Sequence, residues 1–169
     1  MAISIKLASN DADLAAARAL CLEWLDWHWE NYPSDWPVDG NPMERGRFQD
    51  ILDDLPTLHA RPGGGIFLAT MGEHPVGCVM YAPETTGTAE FNRMFVSEAG
   101  RGQGIGRLLL DAMCDQMGKD GYDKAVFSSA VFLTHAKAMY EAAGFADMPH
   151  PSGFPEEWKP YVYFMERPL

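Results

Sequence analysis

Cysteine is scarce and unpaired in this sequence. Cys21, Cys78 and Cys114 are scattered and no C-x-x-C pair occurs. That excludes a disulfide frame or a Cys-rich zinc site and predicts free thiols in a reducing, cytoplasmic setting. Positive charge is scarce as well: 13 Lys and Arg stand against 24 Asp and Glu, a formal net charge of -11. A nucleic-acid partner rewards a basic surface, so this balance argues against one; an acidic surface attracts cations instead. Long apolar runs are missing, and none approaches the roughly 18 residues a membrane span requires. The opening residues, Met1 to Lys6, lack the charged and apolar regions of a secretory leader, so none is expected. There is no internal repeat and no low-complexity tract. What the chain does have is apolar content, 47% of 169 residues, with 12% aromatic. That supports one well-packed domain, read as 1–169, and is too little for two comfortable ones.

Hydrophobic periodicity divides the chain into alternating elements. Ile3, Ile5 and Leu7 alternate with Ser4 and Lys6, which predicts a strand over Ile3 to Ala8. Ser9 or Asn10 can cap a helix whose face is Leu14, Ala17, Cys21, Leu25 and His28, running to about Glu30. Asn31 to Asn41 reads as loop. Pro42 suits the first position of a second helix carrying Phe48, Ile51, Leu52 and Leu55 and ending before Pro56. Strands are predicted over Ile66 to Met71 and Val76 to Ala82, joined by a Gly72–Pro75 turn, and over Ala89 to Val96 after a turn at Thr85 to Gly87. In that last strand Phe91, Arg93 and Phe95 alternate with Asn92, Met94 and Val96. Further on, a strand at Lys124 to Ala130 precedes a helix from about Leu133 to Ala143, stopped at Gly144. A short strand (Phe145 to Met148), a loop (Pro149 to Pro160) and a final strand (Tyr161 to Glu166) complete one α/β domain with a mixed sheet.

The informative stretch follows the strand at Ala89 to Val96. Arg101-Gly102-Gln103-Gly104-Ile105-Gly106-Arg107 leads into a helix marked by Leu108, Leu109, Ala112, Met113, Gln116 and Met117, read as Gly104 to Met117. The first N–H groups of a helix have no internal partner and the helix dipole makes that end positive. Glycines let the backbone reach positive φ and come close to a ligand. Arg101 and Arg107 add cations that fork onto phosphate oxygens. This is the make-up of a pyrophosphate cradle. It is neither G-x-G-x-x-G opening a βαβ unit nor G-x-x-x-x-G-K-[ST], so the dinucleotide and P-loop cradles are excluded.

Arg101-Gly102-Gln103-Gly104-Ile105-Gly106 resembles the R/Q-x-x-G-x-G/A signature of the GNAT acetyltransferase superfamily. Glu90 to Val96 is similar to the strand before that loop. Ala136-Lys137-Ala138-Met139-Tyr140-Glu141-Ala142-Ala143-Gly144-Phe145 is similar to the family's A-x-x-L-Y-x-x-x-G-F segment, and Phe164 to Leu169 resembles the last strand of small bacterial members. These matches span about half of the chain in the family's order. The resemblance implies an α/β (α+β) fold: a GNAT-like, mixed, mostly antiparallel central sheet flanked by helices, with its central strands splayed. It implies acetyl-CoA as cosubstrate, with the pantetheine arm against main-chain groups of Met94, Phe95 and Val96. The diphosphate would lie on Arg101, Gly102, Gln103, Gly104, Ile105, Gly106 and Arg107. It further implies an N-acetyltransferase that uses Tyr140 as general acid to the departing thiolate and Glu90 as base for the amine; homodimers are frequent in the family. One departure is plain: where many members place Asn, seven residues before the tyrosine, this chain has Leu133. His135, nearby, or a water is the available substitute.

No cysteine occupies a motif position, so direct attack of the amine on the thioester in a ternary complex is expected rather than an acyl-enzyme. The acceptor side belongs to the first helix and the loop after it. Glu23, Trp24, Asp26, Trp27, His28, Trp29, Glu30, Tyr32, Asp35, Trp36 and Asp39 form an aromatic and acidic cluster there. Carboxylates with π faces suit a small cationic amine, and Trp27, Glu30 and Tyr32 are the expected contacts. Phe154 and Trp158 lie in a loop that could close over it. A protein amino group, or acyl-CoA binding without turnover, are the rival readings.

Overall fold

The computed structural model describes residues 1–169. Strand β1 (Ile3–Leu7) turns Ile3, Ile5 and Leu7 toward the core and leaves Ser4 and Lys6 exposed. Asn10 caps α1 (Asp11–Asn31) by accepting a 2.9 Å bond from the Asp13 amide. Ala17, Leu20, Cys21, Leu25 and His28 make its buried face at helical spacing. After a loop come α2 (Arg45–Asp53) and a single turn, α3 (Leu55–Leu58). Strands β2 (Gly65–Met71), β3 (His74–Thr85) and β4 (Thr88–Val96) form a meander, and a 3₁₀ turn at Glu98–Gly100 leads to α4 (Ile105–Lys119). Then follow β5 (Lys124–Ala130), α5 (Thr134–Ala142), β6 (Ala146–Met148) and β7 (Val162–Pro168).

The sheet has seven strands in the order β1-β2-β3-β4-β5-β7-β6. Every neighbouring pair is antiparallel except β4 with β5. Two cores lie on its two faces. Leu109, Leu110, Met113 and Met117 of α4 pack with Phe91, Phe127, Tyr140 and Phe145 on one side. Ala17, Leu20, Cys21 and Leu25 of α1 pack with Phe48, Leu52, Leu68, Met80 and Phe95 on the other. No helix is long and apolar enough to cross a membrane.

Three readings beside proline need correction. The second helix does not open at Pro42: Asn41 Oδ1 accepts from the Met43 amide, and Glu44 caps α2 by accepting from Gly46 and Arg47. The second helix does end before Pro56, at Asp53, but Leu55 is not on it: Leu55 opens α3, and Pro56 stands in the first turn of α3, where a missing N–H costs nothing. Pro75 belongs to β3, not to the turn, at the point where the β2–β3 register shifts. Bulges tolerate proline because one ladder bond is already lost there.

Away from the glycine turn, at the other end of α4, Arg61 locks the turn before β2 to the end of that helix. Its Nη1 and Nη2 donate to Asp120 at 2.5 and 2.7 Å, Gln116 donates to the same carboxylate, and the Tyr81 hydroxyl donates to it too. These donors hold the Asp120 carboxyl down at about 2. A carboxyl whose folded pKa is depressed contributes stability above its unfolded value of about 3.9, lost as pH falls through the folded one. Asp120→Ala is therefore expected to destabilise the protein by about 2–4 kcal/mol in urea unfolding at pH 7. The gap between variant and parent should close between about pH 4 and pH 2.

Candidate active site

Parallel pairing of β4 with β5 stops early: Thr88, Ala89 and Glu90 pair with Lys124, Ala125 and Val126, and beyond them the two strands part. The cause lies in β4. Cys78 of β3 faces Phe95 and Met80 faces Asn92, so β4 carries one residue more than its partner. Arg93 takes up the excess at φ +53, a left-handed conformation uncommon for a side chain other than Gly, Asn or Asp. The bulge also reverses the facing of the side chains. Phe91 and Met94 pack toward α4, while Phe95 packs toward α1. The strict alternation of Phe91, Arg93 and Phe95 on one face is thus corrected.

His59 supports the bulge from below. Its Nδ1 lies 2.8 Å from the Tyr81 carbonyl, which can only accept, so Nδ1 carries the hydrogen. Nε2 is then left to accept from Arg93 Nη2 at 2.5 Å. Burial, with the Arg93 charge opposing protonation, pulls the His59 imidazole down to about 4.

A wedge-shaped cavity of about 180 Å³ opens where the strands part, lined by Asn92 to Val96 from β4 and Phe127 to Ser129 from β5, with Trp27, Arg101 and Tyr140. Tyr140 comes from α5, its ring held 4.3 Å from Phe127 and 6.0 Å from Phe91. Burial raises its phenol pKa, so the hydroxyl stays protonated at neutral pH. Glu90 stands at the last paired position and lines neither this cavity nor the next; Asn92 Nδ2 donates to it at 3.3 Å. Burial, and then the neighbouring Glu84, raise the Glu90 carboxyl.

At the mouth of the wedge the chain turns into α4. Gly102 and Gly104 both have φ +74, and a Cβ at either would meet no atom within 4 Å. The backbone amides of Gly102, Gln103, Gly104, Ile105, Gly106 and Arg107 donate to no group of the protein. Gly106 has another reason to be glycine: a Cβ there would lie 2.8 Å from Met139 Sδ, so the absent side chain lets α5 approach α4. The two arginines also differ. Arg101 lies with its guanidinium carbon 5.8 Å over the Trp27 ring, beside the wedge. Arg107 is engaged elsewhere, with Asp111 at 2.9 Å and the Ala142 carbonyl at 3.2 Å.

A second chamber, of about 400 Å³, adjoins the wedge and shares Trp24, Ser128, Ser129 and Leu133 with it. His28, Tyr32, Trp36, Trp158, Tyr161 and Phe154 supply its rings. The loop after α1 is held in place by Trp29 Nε1 donating to the Met43 carbonyl and by the Tyr32 hydroxyl donating to the Pro37 carbonyl. The expected acidic half of this cluster is not part of the wall. Glu23, Asp26, Glu30, Asp35 and Asp39 are exposed, and no Asp, Glu, Lys or Arg lines the chamber. The α1 carboxylates fall on its outer stripe because helical spacing gives the inner stripe to Leu25 and His28. Sequence reasoning missed Ser128, Ser129 and Tyr161; strand alternation on β5 was the signal available for the serines. His135 is exposed on the outside of α5, whereas Leu133 lines both cavities.

Comparison with known proteins agrees with this geometry. The acetyltransferase (GNAT) family matches residues 21–145. The chain is 37% identical to an IAA acetyltransferase of Azospirillum brasilense over 119 residues, 70% of this chain and 76% of that one. Its fold is similar to that of a GNAT-family acetyltransferase from Staphylococcus aureus, with a TM-score of 0.75 and 20% identity over 99% of both chains. It is also similar to that of a PaiA N-acetyltransferase from Thermoplasma acidophilum in complex with coenzyme A, with a TM-score of 0.72 and 15% identity over the whole of both chains. With the splayed strands, the unpartnered amides and the matched residues in one place, this chain belongs to the GNAT family of acetyltransferases, enzymes that use acetyl-CoA as cosubstrate.

Proposed function

We propose that the protein transfers the acetyl group of acetyl-CoA to a small primary amine, by direct attack within a ternary complex in the cytoplasm. The observation that carries this is the continuity of the two cavities. A thioester in the wedge and an amine in the ring-lined chamber meet at Ser128, Ser129 and Leu133. The amine arrives as an ammonium, drawn by a net charge of -11, and must lose a proton before it can attack.

The chain's groups divide the work as follows. Unpartnered amides from Gly102 to Arg107 hold the diphosphate, with Arg101 the free cation beside it. The β5-facing edge of Met94, Phe95 and Val96 pairs with the pantetheine amides, and a main-chain N–H near Val96 polarises the thioester carbonyl. Glu90, made more basic by burial, takes the ammonium proton through water. The amine nitrogen then bonds to the carbonyl carbon and the C–S bond breaks; Tyr140 gives its proton to the departing sulfur and is restored by the proton the nitrogen loses as it becomes an amide. Trp27 and Tyr32 border the acceptor, and Glu30 contributes at most to attraction at a distance.

No thiol stands in the wedge to carry an acyl group: Cys21, Cys78 and Cys114 are all buried elsewhere. Initial rates of CoA release, measured with both substrates varied, should therefore give intersecting double-reciprocal lines. Parallel lines together with an acetylated protein in the mass spectrum would overturn direct attack.

A further inference from the structure

The geometry points to an acceptor that carries its amine on a flat, uncharged aromatic body, with the ring in the chamber and the amine at the Ser128–Ser129 junction. This rests on the transferase reading above and deepens it.

The chamber wall is a set of rings crossed at steep angles. Trp36 lies 4.7 Å from Tyr161 at 58° and 5.8 Å from Tyr32 at 87°, and Phe132 backs it at 5.3 Å and 88°. Such a wall offers both faces and edges. A planar ligand ring gains edge-to-face contacts there in addition to apolar burial, and a saturated body of the same size gains burial alone. The chamber volume of about 400 Å³ falls within the usual range for small-ligand sites.

Charge excludes the main competitor. A diamine brings a second cation that needs a partner once out of water. No carboxylate lines the wall, and Asp26, the acidic residue of α1 between Trp24 and His28, is exposed and paired with Arg45 at 2.9 Å. The one titratable imidazole of the wall, His28, is only 5% exposed, and its Nε2 has no hydrogen-bond partner. Burial pulls it down to about 4, so it too is uncharged at neutral pH. One ammonium fits, if it stays at the junction beside Ser128, Ser129 and the thioester. A second has nowhere to go.

The test compares phenethylamine, cyclohexylethylamine and putrescine as acceptors at fixed acetyl-CoA, with the protein and its Trp36→Leu variant. The expected kcat/KM for phenethylamine is about tenfold that of cyclohexylethylamine, the return of one or two ring contacts. It should exceed that of putrescine at least a hundredfold. In Trp36→Leu the preference for the aromatic over the saturated amine should fall to near one, with coenzyme A affinity by calorimetry unchanged. Putrescine acetylated as well as or better than phenethylamine overturns the aromatic acceptor and leaves the transferase standing. So does an aromatic preference that survives Trp36→Leu. Acetyl-CoA bound with no amine acetylated at all overturns the transferase reading, and this inference with it.

Discussion

Gly104→Asp is expected to lower coenzyme A affinity more than a hundredfold in isothermal titration calorimetry while leaving the fold intact. Two terms act together. Gly104 caps α4 at φ +74, where a side chain costs about 1–2 kcal/mol, least for Asn and Asp. A carboxylate at that point also opposes the diphosphate. At about 4 Å and an effective dielectric of about 20, one pair of unit charges repels by roughly 4 kcal/mol, enough alone for more than two decades of affinity. A Cβ at Gly104 would meet no protein atom within 4 Å, so the loss does not begin with a packing clash. Gly104→Ala isolates the backbone term and should lose about tenfold or less. Undiminished binding by Gly104→Asp would mean that the diphosphate lies elsewhere. Gly106→Ala brings a Cβ to 2.8 Å from the Met139 sulfur, at the flexible end of a side chain that can shift aside, so its effect on affinity should be smaller.

Tyr140→Phe is the second large effect. Loss of the phenol should reduce kcat by a factor of about 10²–10⁴, the usual range for a positioned acid, with little change in the KM for acetyl-CoA. Phe keeps the ring contacts to Phe127, Phe91 and Phe145, so thermal stability should barely move. Because burial raises the Tyr140 pKa, the parent enzyme should show no loss of this acid on the alkaline side until well above the ordinary tyrosine range. A Tyr140→Phe enzyme with parental kcat would remove the general acid from the mechanism and leave the sulfur to depart as free thiolate.

Much of this is legible in the sequence. The strand, glycine turn and helix from Ala89 to Met117 announce themselves by a change of period from two to 3.6, and β4 and α4 lie there. The ends of elements are less legible beside proline, which the sequence offers as a helix start at Pro42, a helix end at Pro56 and a turn at Pro75. Pro42, Pro56 and Pro75 each find a place where the lost N–H is not missed, and only the neighbouring chain decides that. The acceptor cluster was half legible. Aromatic and acidic residues alternate along α1 and its loop, but a linear sequence does not say which of two interleaved stripes meets the sheet. The sheet takes Leu25 and His28, and the carboxylates face solvent. At Gly106 the sequence shows room for a ligand but not the second constraint, the Met139 side chain 2.8 Å from where a Cβ would lie.

The extra residue in β4 has a consequence for anyone who alters this strand. Strand side chains keep count in twos, and Arg93 breaks that count once, so positions before and after it obey opposite parities. Deleting a single residue here would restore even counting. Met94 and Val96 would be turned over to the α1 side, Phe95 would be sent against α4, and the incentive for β4 and β5 to stay apart would vanish. The gap between the two strands is, in that sense, one amino acid wide in the gene.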